Sequence, residues 1–178
     1  MNTSARPASP DTRPVVRAAR RDDLPAVAAV LEPYVLGTAV TFDEEPPGAE
    51  IWQARLDDLA GRGLPFLVAE VDGAVVGYAY AAPWRPKAAY RHTAETTIYL
   101  SPAAQGRGTG TRLLSALIDA CSLAGVRQLI AVVADDPAAA GSLPLHRRLG
   151  FEVVGTLHDV GVKHGRSVST MLLQRSLH

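Results

Sequence analysis

Val27, Val30, Leu31, Tyr34 and Val35 recur at the three- and four-residue intervals of one helix face. Asp22 stands before this run as an N-cap, and Gly37 closes it. Pro25 falls in the first turn, where its missing N–H is harmless. The same period predicts a second helix from about Ala49 to Leu59, with Ile51, Trp52, Arg55, Leu56 and Leu59 as its stripe and Gly61 and Gly63 as its stop. A third helix follows a glycine cluster and carries Leu113, Leu114, Leu117, Ile118 and Cys121 on one side, up to Gly125. A short fourth runs to Leu149. With Ser142 as its N-cap, Pro144 sits in the first turn and not in the interior, where it would break a hydrogen bond.

Strand-like runs fill the intervals. They are Val15–Ala19, Pro65–Val71, Ala74–Ala81, Tyr90–Leu100, Leu129–Val133, Phe151–Leu157 and Ser167–Leu173. Asp72-Gly73 joins the second and third as a hairpin, and Lys163-His164-Gly165-Arg166 is turn-like between the last two. Leu129 to Val133 is apolar without interruption, as expected of a strand covered on both faces. The order β-α-α-β-β-β-α-β-α-β-β predicts one α/β domain with a mixed sheet over residues 15–178. Residues 1–14, rich in Pro, Ser, Thr, Arg and Ala without an apolar period, are expected to form a disordered tail.

Composition narrows the function classes. The chain has 178 residues, 47% of them hydrophobic, enough for one domain with a sizeable core. Eighteen basic residues balance eighteen acidic ones, which leaves no broad electrostatic footprint for nucleic acid or an anionic membrane. Cys121 is the single cysteine, so neither an intrachain disulfide nor a Cys-based zinc site is available. The five histidines lie at no metal-ligand spacing, and no metal is expected. No apolar run reaches the ~18 residues of a membrane span, and the N-terminus lacks an apolar signal core. The expectation is a cytoplasmic protein.

The chemistry concentrates after Leu100. Thr96 to Leu100 reads as a buried strand that Ser101-Pro102 ends, and Gly106, Gly108 and Gly110 follow before a helix. Glycines at a helix start let the backbone approach a ligand and aim orphan N–H groups at it, at the positive end of the helix dipole. That is a site for a phosphate or pyrophosphate. A P-loop needs Gly-Lys-Ser/Thr, and no Lys follows these glycines. A dinucleotide loop needs G-x-G-x-x-G, whereas the spacing here is G-x-G-x-G. Gln105, Gly108 and Gly110 spell Gln-x-x-Gly-x-Gly, which resembles the acetyl-CoA loop of the GNAT N-acetyltransferase superfamily. The order of elements from Val15 to Leu173 is also similar to the GNAT fold, as is the Leu145-to-Phe151 ending Leu-His-Arg-Arg-Leu-Gly-Phe. Three further stretches, Thr41–Pro46, Tyr90–Glu95 and Gly161–Arg166, resemble the phosphinothricin / methionine sulfone (sulfoximine) N-acetyltransferase branch.

The resemblance implies a central sheet of about seven strands splayed in the middle, direct acetyl transfer from acetyl-CoA to a small amino-acid-like amine, and a homodimer. It implies that N–H groups of Gln105, Gly106, Arg107, Gly108, Thr109, Gly110 and Thr111 hold the pyrophosphate. Ile98, Tyr99 and Leu100 would hold the thioester, and Ser142 would contact the cofactor. Glu95, by itself a charge at a strand end, becomes a base or substrate anchor. His146, by itself a histidine on a packed helix face, becomes a proton donor to the leaving thiol. Arg85 and Arg91 are candidate cations for a substrate anion, and Phe42, Trp84, Tyr90 and Thr93 candidate pocket walls. Core packing or surface solvation remains the competing account of each. The chain departs from the branch at Ala139, where relatives carry Asn, at Pro144, and at Ser167-Val168, where Trp and an acidic residue are usual. Acetylation of a protein or peptide N-terminus, or a degenerate acyl-CoA sensor, are the alternative functions.

Overall fold

A continuous seven-stranded sheet carries the chain, in the strand order β1-β2-β3-β4-β5-β7-β6. The computed structural model describes residues 13–177. Its strands are β1 (Val15–Ala18), β2 (Phe66–Val71), β3 (Ala74–Pro83), β4 (Thr93–Leu100), β5 (Gln128–Ala134), β6 (Glu152–Lys163) and β7 (Arg166–Ser176). The α-helices are α1 (Leu24–Gly37), α2 (Ala49–Gly61), α3 (Thr109–Leu123) and α4 (Ser142–Arg148). Every strand pair is antiparallel except β4–β5, which the crossover through α3 makes parallel. The expected mixed α/β architecture is therefore present. The tail expected over residues 1–14 lies outside the described residues except for Arg13 and Pro14.

Two apolar layers cover the two faces of the sheet. Leu113, Leu114, Leu117 and Cys121 of α3 pack on Ala79, Ala81, Leu129 and Ala131. Burial there pushes the Cys121 thiol up to about 12, so it stays neutral and packs as a small hydrophobe. On the other face Val27, Leu31 and Tyr34 of α1 and Trp52 and Leu59 of α2 pack on Phe66, Val68 and Tyr78. The period-2 alternation along β3 feeds both layers: Tyr78 faces α1 and α2, and Ala79 faces α3.

Several boundaries differ from the sequence expectation. Asp23, not Asp22, precedes α1, and its carboxylate accepts from Arg20 N–H at 2.7 Å and from Arg17 at 2.7 and 2.8 Å. Arg17 also reaches Glu70, so the charges tie β1 to β2 and to the helix start. Ile51, expected on the buried stripe of α2, is 48% exposed, because α2 turns Trp52 and Leu59 inward. Gly141 takes the N-cap position of α4 and Ser142 is the first helical residue, while Pro144 does fall in the first turn. Tyr90 belongs to a 3-10 turn over Ala88–Tyr90, and β4 begins only at Thr93. β6 and β7 extend well beyond the expected strands. Register shifts at Val153/Gly155 and Leu157/Gly161, and a positive φ of 54° at Asp159, break the alternation of β6 that would have revealed its length.

Candidate active site

β4 and β5 pair only over four residues, from Thr93↔Gln128 to Thr96↔Ala131. Beyond Thr96 the two strands part, although β4 keeps its ladder with β3 as far as Gly77↔Leu100. Backbone groups of residues 97–100 on the β5 side are left without a strand partner, an arrangement that calls for another partner. A cleft of about 780 Å³ opens in this gap. Apolar Val132, Val133 and Leu145 line one stretch of it, and Gln105, Gly106, Gly108, Gly110 and Thr111 line another.

The glycine loop is built as its residues require. Gly106 and Gly108 take φ of 71° and 80°, and Gly108 is the N-cap residue of α3. A Cβ on Gly110 would come within 3.2 Å of Leu100 and 3.3 Å of Leu145, so the helix start fits closely against the end of β4. The fifteen-residue α3 points its positive end at the cleft. A hydroxyl from the opposite layer braces the loop: Tyr34 Oη donates to Leu100 O at 2.5 Å and accepts from Gln105 Nε2 at 2.6 Å.

At the other end, register puts Glu95, Thr97 and Tyr99 of β4 directly beside Ala82, Tyr80 and Tyr78 of β3, on one face of the sheet. Tyr34, Tyr78 and Tyr99 pack ring on ring at 5.3 and 5.7 Å. Burial pushes the Tyr99 phenol up to about 12. Glu95 is half-buried and lines the cleft. Burial raises its pKa, and the Arg85 charge nearby opposes that rise. Thr41, Phe42 and Asp43 close over this end. The buried Lys163 donates to Thr41 O at 2.8 Å, and Phe42 lies against Gly161, where any Cβ would meet its ring at 2.3 Å.

His146 also lines the cleft and is only 3% exposed. Its Nδ1 lies 2.8 Å from Ser142 O. A carbonyl only accepts, so Nδ1 carries the hydrogen and Nε2 is bare in the neutral ring. Burial lowers the His146 pKa, partly offset by that hydrogen bond, and so favours the neutral ring. Nε2 donates a proton only after it has acquired one.

The cleft thus brings together Glu95, His146, Ile98, Tyr99, Leu100, Gln105, Gly106, Gly108, Gly110, Thr111, Ser142 and Phe42. It does not include Arg107, Thr109, Trp84, Arg85, Tyr90, Arg91 or Thr93. Thr109 is buried and Arg107 exposed at the mouth of the loop. The Trp84 backbone N–H donates to Thr93 O, with Arg85 over the indole ring at 5.2 Å. Tyr90 and Arg91 are exposed. The sequence reading missed Tyr34, Tyr78, Tyr80 and Arg55 as cleft residues and Lys163 as the prop behind the Thr41 loop. A tyrosine in an apolar stripe was the available signal, since its hydroxyl needs a partner once buried. Among the described residues no group of three or more His, Cys, Asp or Glu is placed to hold a metal ion.

A mixed sheet splayed at one parallel pair, with a glycine loop and helix N-terminus at the split, defines an acyl-CoA-binding α/β class. The Acetyltransferase (GNAT) domain family matches residues 16–172, and the chain belongs to it. It is similar to the phosphinothricin N-acetyltransferase of Alcaligenes faecalis, with 45% identity over 163 residues covering 92% of this chain and 82% of that one. The L-methionine sulfoximine/L-methionine sulfone acetyltransferase of Pseudomonas aeruginosa shares 37% identity, covering 91% and 94%. Among solved structures, a GNAT superfamily phosphinothricin acetyltransferase from Sinorhizobium meliloti in complex with acetyl-CoA superposes with a TM-score of 0.86 at 41% identity, covering 92% and 88%.

Proposed function

We propose that the chain transfers acetyl from acetyl-CoA to the α-amine of a small amino acid of the phosphinothricin, methionine sulfone or methionine sulfoximine type. The observation that carries this is the placement of Glu95, a half-buried carboxylate on β4 just before the strand departs from β5 and runs into the glycine loop. The relatives' named substrates support the same class.

The residues present fit acetyl-CoA. The positive-φ glycines and the start of α3 suit a pyrophosphate, and Val132, Val133 and Leu145 suit an apolar arm between β4 and β5. When bound, acetyl-CoA supplies the acetyl group as a thioester. Backbone N–H groups of this stretch of β4 that lack a partner on β5 orient the carbonyl and stabilise the charge that develops on its oxygen. Glu95 accepts the proton of the attacking amine, and its raised pKa makes it a better base than an exposed carboxylate. His146, once protonated at Nε2, returns a proton to the leaving sulfur. Holding both reactants in one cleft contributes much of the acceleration.

The exposed Val154, Val160 and Val162 on edge strand β6 support a homodimer built on that edge. Dependence on the acetyl-CoA pool supports a cytoplasmic site of action.

Gly108→Ala should raise KM for acetyl-CoA with little change in kcat. An alanine at φ 80° is strained by about 1–2 kcal/mol, so the loop relaxes and binding must restore it. That corresponds to a roughly 5- to 30-fold rise in KM. An unchanged KM would show that the loop does not grip the cofactor in this conformation. Incubating the enzyme with acetyl-CoA and phosphinothricin, methionine sulfone or methionine sulfoximine, followed by mass spectrometry, should yield the mono-N-acetyl product; absence of all three would refute the substrate class.

A further inference from the structure

Arg55 is a guanidinium in the cleft that the chemistry above does not use. It projects from α2, lines the cleft and is half-buried. Its Cζ lies 5.0 Å from the Trp52 ring centroid and 5.3 Å from that of Tyr80. Two aromatic rings therefore flank the guanidinium and restrict its orientation. The edge carrying the N–H donors is different. Among the described residues the Arg55 side chain makes no hydrogen bond and no ion pair. Asp43 shares the cleft, but Thr41 Oγ1 donates to its carboxylate at 3.0 Å. A half-buried fork of donors held between two rings and without a protein acceptor is placed to take one from outside, and carboxylate is the planar anion that matches it in two parallel bonds.

The sheet register fixes where that anion would lie. Tyr80, under the guanidinium, pairs with Thr97, and Glu95 is the next residue of β4 on the same face. Two residues of strand span roughly 7 Å. One face of the sheet thus presents a forked cation and, one side-chain row away, a carboxylate suited to an amine. An α-amino acid carries the complementary pair of groups on a single carbon.

We propose that Arg55 binds the α-carboxylate of the acceptor, and that its two aromatic supports make the enzyme selective for amines bearing a free carboxylate on the same carbon. This rests on the proposed function and adds the group that recognises the acid end. Arg85, stacked on Trp84 outside the cleft lining, instead tunes Glu95 through its field. Arg91 is exposed and bonds to Ala88 O.

The test compares kcat/KM for methionine sulfone with that for its α-carboxamide, in the wild type, Arg55→Gln, Arg55→Lys and Arg85→Gln. The ratio within each enzyme cancels the fixed difference in amine basicity between the two substrates. The acid-over-amide ratio should fall roughly 10- to 100-fold in Arg55→Gln, the weight of a charge-assisted pair of hydrogen bonds. Arg55→Lys should fall between, since it keeps the charge and loses the fork. KM for acetyl-CoA should stay within twofold in both variants, and Arg85→Gln should leave the ratio unchanged. If Arg55→Gln does not fold, Arg55→Lys carries the comparison. An unchanged ratio in the Arg55 variants, with the wild type still acetylating the free acid, would overturn the carboxylate site and leave the proposed function standing. A wild type that acetylates neither substrate nor any other amino acid would overturn both.

Discussion

Glu95→Gln is expected to lower kcat by about 10²- to 10⁴-fold, the usual contribution of a positioned general base. The substitution is nearly isosteric, so the β3–β4 register, Ala82↔Glu95, should persist. Acetyl-CoA affinity should be almost unchanged, because the proposed cofactor grip lies further along, at Gln105–Gly110 and in the gap beside β5. The pH profile gives a second reading. A base works deprotonated, so activity of the wild type should rise with pH as Glu95 ionises. Burial raises its pKa, which places that rise above the ordinary carboxylate range even with Arg85 nearby. The limb should disappear in Glu95→Gln. Full activity in the variant, or a wild-type limb that survives the substitution, would remove Glu95 from the role of base.

Trp52→Ala should destabilise the fold by about 3–5 kcal/mol, as large-to-small changes at buried aromatic positions do. Trp52 is fully buried, packs at 5.4 Å and near-perpendicular to Tyr78, and contacts Phe66. The expected drop in Tm is roughly 6–20 °C for a chain of this size. Its indole Nε1 is the buried side-chain donor without a partner among the described residues. Trp52→Phe keeps most of the volume and removes that orphan, so it should cost far less, about 1–2 kcal/mol. Thermal and urea unfolding of both variants checks this. Equal losses for Phe and Ala would contradict the packing account, since Phe retains most of the buried volume. Because Trp52 also supports Arg55, the Phe variant should weaken acceptor binding more than acetyl-CoA binding.

Local pattern and folded site diverge for identifiable reasons. The glycine loop at Gly106 and Gly108 was readable because backbone freedom and a helix start are both written in consecutive residues. The splay of β4 from β5 was legible only through the family resemblance. No local signal in Thr97 to Leu100 says that pairing stops at Thr96, since register with β5 is a property of two strands far apart in the chain. Tyr34 and Arg55 were read as part of helix stripes, and they do sit on those stripes. Their contacts in the cleft were hidden because their partners lie 66 and 71 residues away for Tyr34, and across the α2–β3 packing for Arg55. Tyr99 was expected to serve through its backbone; its ring also forms part of the aromatic wall with Tyr34 and Tyr78. Lys163 lies in a hairpin turn by sequence and becomes a buried prop for the Thr41 loop only in three dimensions. The length of β6 escaped because its bulges interrupt the two-residue period.

Thiol release is the most direct measure of the central claim, that the β4–glycine-loop–α3 stretch delivers acetyl to an amino-acid amine. The purified chain is given acetyl-CoA and, one at a time, phosphinothricin, methionine sulfone, methionine sulfoximine and common amino acids. Saturable, amine-dependent release with at least one of the first three, lost in Glu95→Gln, is the predicted result. Tight CoA binding with no amine-dependent release from any of them would contradict it.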